Sequence, residues 1–163
     1  MLRIERLRAD HEEALLAFER DNRAYFARSV PDRGDAFFAD YPARHRALLA
    51  EQDTGACRFH VVLDAAGELI GRVNLVDLAD GAADLGYRIG ERSAGRGTAT
   101  AAVREVCRLA ATEYGLGVLT ASAALDNPAS AAVLRRTGFT VTGETVLNGN
   151  PGLTYRRTLT PEG

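Results

Sequence analysis

From residue 58 onward the apolar side chains of this sequence stop recurring at helical intervals and alternate every second position. Phe59, Val61 and Leu63 alternate with Arg58 and His60, the pattern of a partly buried strand. Asp64-Ala65-Ala66-Gly67 reads as a turn, and Leu69 to Val76 as the returning strand. Asp80-Gly81-Ala82-Ala83 reads as a second turn, and Asp84 to Gly90 as a third strand with Leu85, Tyr87 and Ile89 on one face. Strands joined by such short turns pair antiparallel. Next come Arg92-Ser93-Ala94-Gly95-Arg96-Gly97-Thr98 and a helical stripe of Ala99, Ala102, Val103, Val106 and Ala110, closed by Gly115. A meander that runs into a glycine loop and a helix requires a mixed α/β fold.

The flanking segments extend this frame. Leu2 and Ile4 alternate with charges and predict a short edge strand. Asp10, with Glu13 three residues later, predicts a capping box opening a helix over about residues 11–26. Pro31-Asp32-Arg33-Gly34 breaks the chain before a second helical stretch from Asp35 to Gln52, in which Pro42 predicts a boundary near Tyr41. After residue 117, Val118 to Leu125 reads as a strand. Asn127-Pro128 is a strong helix start, and the helix over 128–137 stops at Gly138. Phe139 to Val146 and Leu153 to Leu159 close the chain as a strand pair around Asn148-Gly149-Asn150-Pro151-Gly152. The expected architecture is one α/β domain over residues 1–163, with a single sheet flanked by helices.

At 163 residues the chain is long enough for one core without disulfide or metal staples. Its 20 basic residues are all arginine, scattered along the chain and balanced by 22 acidic ones. A basic stripe for nucleic acid is therefore missing, and no nucleic-acid partner is expected. No apolar run reaches the roughly 18–20 residues that span a bilayer, and residues 1–8 lack the apolar stretch of a signal peptide. A cytoplasmic protein without a membrane partner is the expectation. Cys57 and Cys107 stand alone and read as small buried hydrophobes rather than metal ligands.

The chemistry concentrates at Arg92-x-x-Gly95-x-Gly97-x-Ala99. Glycines let the backbone turn tightly and approach a ligand, and the first turn of the following helix adds unpaired N–H groups and a positive dipole end. That combination is a phosphate cradle; a plain strand–helix turn would use the same small residues. Other phosphate and nucleophile motifs fit poorly. Thr100 stands where a dinucleotide fingerprint wants a third small residue, the chain has no lysine for a P-loop, and Glu91 stands where a hydrolase elbow wants glycine.

Taken with Asp84-Leu85-Gly86-Tyr87-Arg88-Ile89-Gly90 and Asn127-Pro128-Ala129-Ser130-Ala131-Ala132-Val133-Leu134, this loop resembles that of the GCN5-related N-acetyltransferase (GNAT) family. Arg92-x-x-Gly95-x-Gly97 is similar to that family's signature for the coenzyme A pyrophosphate. The two longer segments resemble its RimJ/RimL-type branch, which acetylates the N-termini of ribosomal proteins. The resemblance runs over residues 58–159 and more loosely through the N-terminal helices. It implies a mostly antiparallel central sheet with one splayed parallel pair, formed by the strand through Ile89 and by 118–125. It also implies direct acetyl transfer from acetyl-CoA to a primary amine in a ternary complex, without a metal, by a monomer or homodimer.

The resemblance further implies roles for residues. The backbone of Gly95, Arg96, Gly97, Thr98 and Ala99, with the Arg92 and Arg96 side chains, would hold the pyrophosphate. Ile89 and Gly90 would hydrogen-bond the pantetheine arm, and Asn127 would touch the coenzyme while capping its helix. The amine must lose a proton and the leaving thiolate benefits from gaining one. Many relatives place a tyrosine acid where this chain has Leu134, so Ser130, one turn earlier, is the substitute candidate. Asp84, opening the strand that carries the thioester, is the leading base, acting through a water; Glu68 is next. His11, His45 and His60 read as structural. The acceptor would meet the 27–41 region, with Phe37, Phe38 and Tyr41, and the 147–153 loop; Asp32, Asp35 and Asp40 would attract a cationic amine. A peptide N-terminus leads as acceptor, with a small amine, or a coenzyme-binding module without catalysis, as alternatives.

Overall fold

The alternation that begins at Arg58 continues through a sheet whose seven strands, in a computed structural model describing residues 2–160, run in the order β1-β2-β3-β4-β5-β7-β6. Met1 and residues 161–163, the ends of the expected domain, lie outside the described residues. The strands are β1 (Arg3–Arg6), β2 (Arg58–Leu63), β3 (Leu69–Ala79), β4 (Ala82–Ile89), β5 (Val118–Ala124), β6 (Thr140–Leu147) and β7 (Asn150–Thr158). β1 lies at one edge, with Arg3 opposite Leu63. All neighbours pair antiparallel except β4 and β5, which run parallel. The architecture is the mixed α/β sheet expected from the sequence.

Period-two patterning gives the sheet two apolar faces. On one face Val62, Val73, Leu75, Leu85 and Ile89 pack against Ala102, Val103 and Val106 of α5 (Thr98–Thr112). The small alanine positions let this helix lie close on the sheet, and they are fully buried with the valines. On the other face Phe59, Val61 and Leu63 meet Leu15 and Phe18 of α1 (Glu12–Asp21). Phe37 and Phe38 of α3 (Asp35–Ala39) and Tyr41 of α4 (Tyr41–Asp53) complete that cluster. Fully burying one such side chain contributes about 1.5–3 kcal/mol.

The N-terminal helix expected over 11–26 is divided. A 3₁₀ turn (Ala9–His11) precedes α1, and α2 (Arg23–Phe26) follows a break at Asn22. Asp10 makes no cap; the Arg8 N–H instead donates to His11 Nδ1 at 2.9 Å. Asn22 ends α1 because its side chain competes for backbone groups. Its Nδ2 donates to the Phe18 carbonyl at 2.9 Å, and its Oδ1 accepts the Glu91 N–H at 2.9 Å. The second stretch divides at Asp40, with Pro42 in the first turn of α4, where a missing N–H costs little. α6 (Pro128–Arg136) starts and stops close to the expected positions.

The three histidines are buried and hydrogen-bonded within the fold. His11 Nε2 faces Glu5 Oε1 at 3.1 Å. His45 Nε2–H donates to the Arg8 carbonyl at 2.9 Å and leaves Nδ1 to accept from the Tyr41 hydroxyl at 3.2 Å. His60 Nδ1–H donates to the Val73 carbonyl at 3.0 Å, so Nε2 accepts from the Tyr114 hydroxyl at 2.6 Å. Burial lowers the His60 pKa to about 4, which keeps the ring neutral. Cys57 and Cys107 are buried free thiols.

Candidate active site

β4 and β5 pair only over Ala82–Asp84 and Val118–Thr120. Beyond Asp84 they part, and backbone groups that would have paired are left facing a gap. Register identifies them. Gly90 N–H bonds the Ile70 carbonyl, so alternate residues back along β4 spend their hydrogen bonds on β3, while Leu85, Tyr87 and Ile89 turn theirs toward β5. On β5 the Leu159 N–H bonds the Gly117 carbonyl, so the same alternation leaves Ser122 and Ala124 facing back across the gap. An extended, amide-bearing ligand fits between two such edges.

Gly90 does not take the role expected of it. Its N–H is used by Ile70, its carbonyl accepts the Ser93 N–H at 3.0 Å, and the residue is buried. A Cβ there would come within 3.1 Å of the Phe18 ring and 3.2 Å of Asn22, so glycine lets the strand end pack closely on them. Of the expected strand pair, Ile89 alone faces the gap.

Two cavities of about 510 Å³ each open along this gap and share Ser29, Val30, Tyr87, Asn127 and Ser130. They are the two ends of one cleft. The loop end is lined by Ile89, Gly95, Gly97, Thr98, Ala99 and Thr100. Gly95 (φ +72°) and Gly97 (φ +77°) adopt left-handed conformations that favour glycine, and a Cβ at either would meet nothing within 4 Å. Gly97 is the residue before the 15-residue helix α5, whose first turn leaves N–H groups unpaired at the cavity wall. Bare backbone, a helix N-terminus and open space suit a pyrophosphate. Arg92 and Arg96 are exposed and outside the lining, whereas Arg136 of α6, unremarked in the sequence, lines it.

Where the cavities meet, the Tyr87 hydroxyl lies 3.1 Å from Ser130 Oγ. Burial raises the Tyr87 pKa, against the pull of the Ser130 hydrogen bond, so the phenol holds its proton. Asn127 Oδ1 accepts the Ser130 N–H at 3.2 Å and also lines both cavities, so it caps α6 and faces the cleft together. Leu134, fully buried, forms apolar wall at the far end. Sequence spacing could not show that Tyr87 and Ser130 meet, because 43 residues separate them.

Asp84 is the third residue of β4, not its opening one, and accepts the Thr120 hydroxyl at Oδ1, 2.8 Å away. It lies on the same strand face as Gly86, which lines the far cavity, but lines neither cavity itself. Two strand residues place it about 7 Å beyond Gly86. Burial raises its pKa, opposed by the Thr120 hydrogen bond. Glu68 is exposed beyond the β2–β3 turn.

The expected acceptor aromatics are core. Phe37, Phe38 and Tyr41 are buried, and none lines the cleft. Phe37 packs edge-on against Phe38 and Tyr41, at centroid distances of 5.1 and 5.4 Å. The Arg23 guanidinium covers the Phe38 ring at 4.4 Å. Two of the three expected acids, Asp32 and Asp35, are held by Arg23 at 2.8 Å each, and Asp40 is exposed but lines neither cavity. Of the same segment, Ala27 to Pro31 line the far cavity, with Leu147, Asn148 and Asn150 around the β6–β7 turn.

A sheet that splays beside a glycine loop and helix N-terminus is matched by a known sequence family. The pattern described as Acetyltransferase (GNAT) domain covers residues 1–140 of the chain. The chain belongs to the GNAT acetyltransferase family. Its fold is similar to that of the ribosomal-protein-S5-alanine acetyltransferase of Vibrio fischeri, with a TM-score of 0.89, 21% identity, and 97% of this chain and 93% of that one covered. It is also similar to Mycobacterium smegmatis RimJ in complex with CoA-disulfide (TM-score 0.85, 22% identity, 96% and 81% covered). A third solved structure, a chimera of the spermidine N-acetyltransferase SpeG from Vibrio cholerae and hSSAT, is similar with a TM-score of 0.79 at 18% identity, with 96% of this chain and 95% of that one covered. No curated protein matches the sequence. The family match makes the chain an acetyl-CoA-dependent N-acetyltransferase, and the solved structures show that it shares their fold. No helix among the described residues is long and apolar enough to cross a membrane.

Proposed function

We propose that the chain acetylates the α-amine of a peptide or protein N-terminus. The observation that carries this reading is the far end of the cleft. Its charged lining is one arginine, Arg28, and one carboxylate, Asp126, among the neutral polar groups of Ser29, Ser122, Asn148 and Asn150. A polyamine carries several cations and needs several carboxylates to replace its water. A peptide N-terminus brings one amine followed by neutral amides, which side-chain amides and strand edges can pair. Gly86 adds bare backbone at this end, where a Cβ would meet open space.

Acetyl-CoA supplies the thioester carbonyl and the thiol leaving group. The chain holds its pyrophosphate on the Gly95–Ala99 backbone and its pantetheine arm against the backbone of Leu85, Tyr87 and Ile89. Amine and thioester are brought together at Tyr87 and Ser130, and proximity alone lowers the barrier substantially. Ser130, hydrogen-bonded to Tyr87, donates toward the departing sulfur. Asp84, kept basic by burial, receives the amine proton through water.

Steady-state acetyl transfer to a panel of peptide N-termini, amino acids, aminoglycosides and spermidine tests this reading once coenzyme binding is measured. Turnover highest on peptides is the expected result. Turnover confined to spermidine or another small amine overturns the acceptor assignment, and coenzyme binding without turnover on any amine overturns catalysis.

A further inference from the structure

One charged side chain in the cleft has no place in the chemistry just described. Arg88 lines the loop-end cavity beside Tyr25, Phe26, Ser29 and Val30, and its guanidinium lies over the Phe26 ring at 4.8 Å. Its single hydrogen bond among the described residues is from Nη1 to Glu19 Oε1, at 3.3 Å. A guanidinium carries five N–H donors, so most of its fork is unspent. The neighbouring carboxylate is shared: Glu19 Oε1 also meets Arg33 at 2.8 Å, while Oε2 accepts no hydrogen bond and has Arg72 at 3.6 Å. Three cations thus face one buried anion, and the nearby Asp32 is held by Arg23. Burial, and then the proximity of Arg33, lowers the Arg88 pKa to about 10, as expected where cations are undercompensated.

Arg88 lines the same cavity as the glycine loop but on its α1–α2 side, next to Ser29 and Val30, which also line the far end. Leu85 and Ile89 pack on the face covered by α5, whose N-terminus forms the phosphate cradle. Arg88 points to the opposite face, toward α1 and α2. Resting on this acceptor assignment, we infer that Arg88 binds a carboxylate of the acceptor, so that the preferred substrates are peptides with Asp or Glu within the first few residues after the reacting amine. A planar fork stacked on an aromatic ring and with free donors is well suited to a carboxylate.

Paired peptides test this, each pair differing only in Glu against Gln at the second or third residue. The wild-type chain should show kcat/KM about tenfold higher for the acidic member of at least one pair, the equivalent of one charge-assisted hydrogen bond. Arg88→Gln should reduce that ratio to near one by losing rate on the acidic peptide, with rates on the neutral peptide and affinity for coenzyme A unchanged. Arg88→Lys should keep part of the preference. Glu19 retains Arg33 and Arg72 in either variant, so folding should survive, as circular dichroism and melting would verify. Equal rates on both members of every pair in the wild type, or an undiminished ratio in Arg88→Gln, overturns the inference while leaving peptide acetylation standing. A fall in coenzyme affinity overturns it by making Arg88 a coenzyme contact. Absence of turnover on any peptide removes both readings.

Discussion

Gly97→Ala separates what this residue does for the fold from what it does for the coenzyme. Gly97 sits at φ +77° and ψ 4°, immediately before α5. A Cβ added there meets nothing within 4 Å, so the free protein bears only the cost of a left-handed non-glycine backbone. That cost is about 1–2 kcal/mol. For a chain of this size each kcal/mol lowers Tm by about 2–4 °C, giving a fall of roughly 2–8 °C. The coenzyme cost is separate, because the new methyl occupies space where a pyrophosphate oxygen must reach backbone N–H groups. One hydrogen bond to a charged acceptor is worth about 1.5–3 kcal/mol, so Kd for coenzyme A should rise roughly ten- to a hundredfold. Gly115→Ala is the control: φ is +65°, its Cβ also meets nothing within 4 Å, and it lies beyond the other end of α5, about 20 Å away. Calorimetric titration with coenzyme A and thermal melts of both variants decide the matter. If both melt lower by the same amount and bind coenzyme A equally well, the loop is a structural turn and the cradle argument fails.

Three further outcomes follow from the geometry. Ser130→Ala should lower turnover roughly 5- to 30-fold, less than loss of a well-preorganised oxyanion donor, with coenzyme affinity unchanged. Tyr87→Phe should lower it less in the Ser130→Ala background than alone, and fully additive losses in that cycle would show that the 3.1 Å pair does not act together. Asp84→Asn should slow catalysis mainly near neutral pH, with partial rescue at higher pH, and a profile unchanged from wild type would remove Asp84 from proton transfer. Because the folded Asp84 pKa is raised, the fold favours the protonated carboxyl, and stability present below the unfolded pKa is lost as pH rises through the folded value. Asp84→Asn should therefore melt higher relative to wild type at pH 7 than at pH 3. His60 has the opposite sign for acid. Its folded pKa near 4 lies below the ordinary 6.5, so stability should fall by about 3 kcal/mol as pH drops from 6.5 to 4. His60→Gln should flatten that slope in pH-dependent melts, and an unchanged slope would place the acid sensitivity elsewhere.

The order of strands and helices was legible because it depends on local patterns. Alternation from Phe59, the turn residues after Asp64 and Asp80, and the Asn127-Pro128 start each act within a few positions. The break at Asn22 was not legible because one of the two hydrogen bonds that hold its side chain there reaches Glu91, 69 residues away. Near Phe37, aromatic side chains in a proposed acceptor segment turned out to be core. Hydrophobicity alone does not say whether a ring faces a cavity or a neighbouring ring, and here Arg23 and Tyr41 cover the exposed sides.

The glycine loop could be picked out in the sequence because the cradle proposed for it would be made by its backbone. The φ values that permit a phosphate cradle are a property of Gly95 and Gly97 themselves. The family pattern over residues 1–140 rests on the same local information. The cleft beyond the loop required the folded chain. Parting of β4 from β5 after Asp84 leaves the amides of Leu85, Tyr87 and Ile89 facing a gap, packing of α6 brings Ser130 to Tyr87, and packing of α1 on β3 and β4 gathers Arg33, Arg72 and Arg88 around the buried Glu19 carboxylate. No spacing in the chain encodes those meetings. They arise when sheet register and helix packing bring distant segments together, and charge and burial act through space rather than along the sequence.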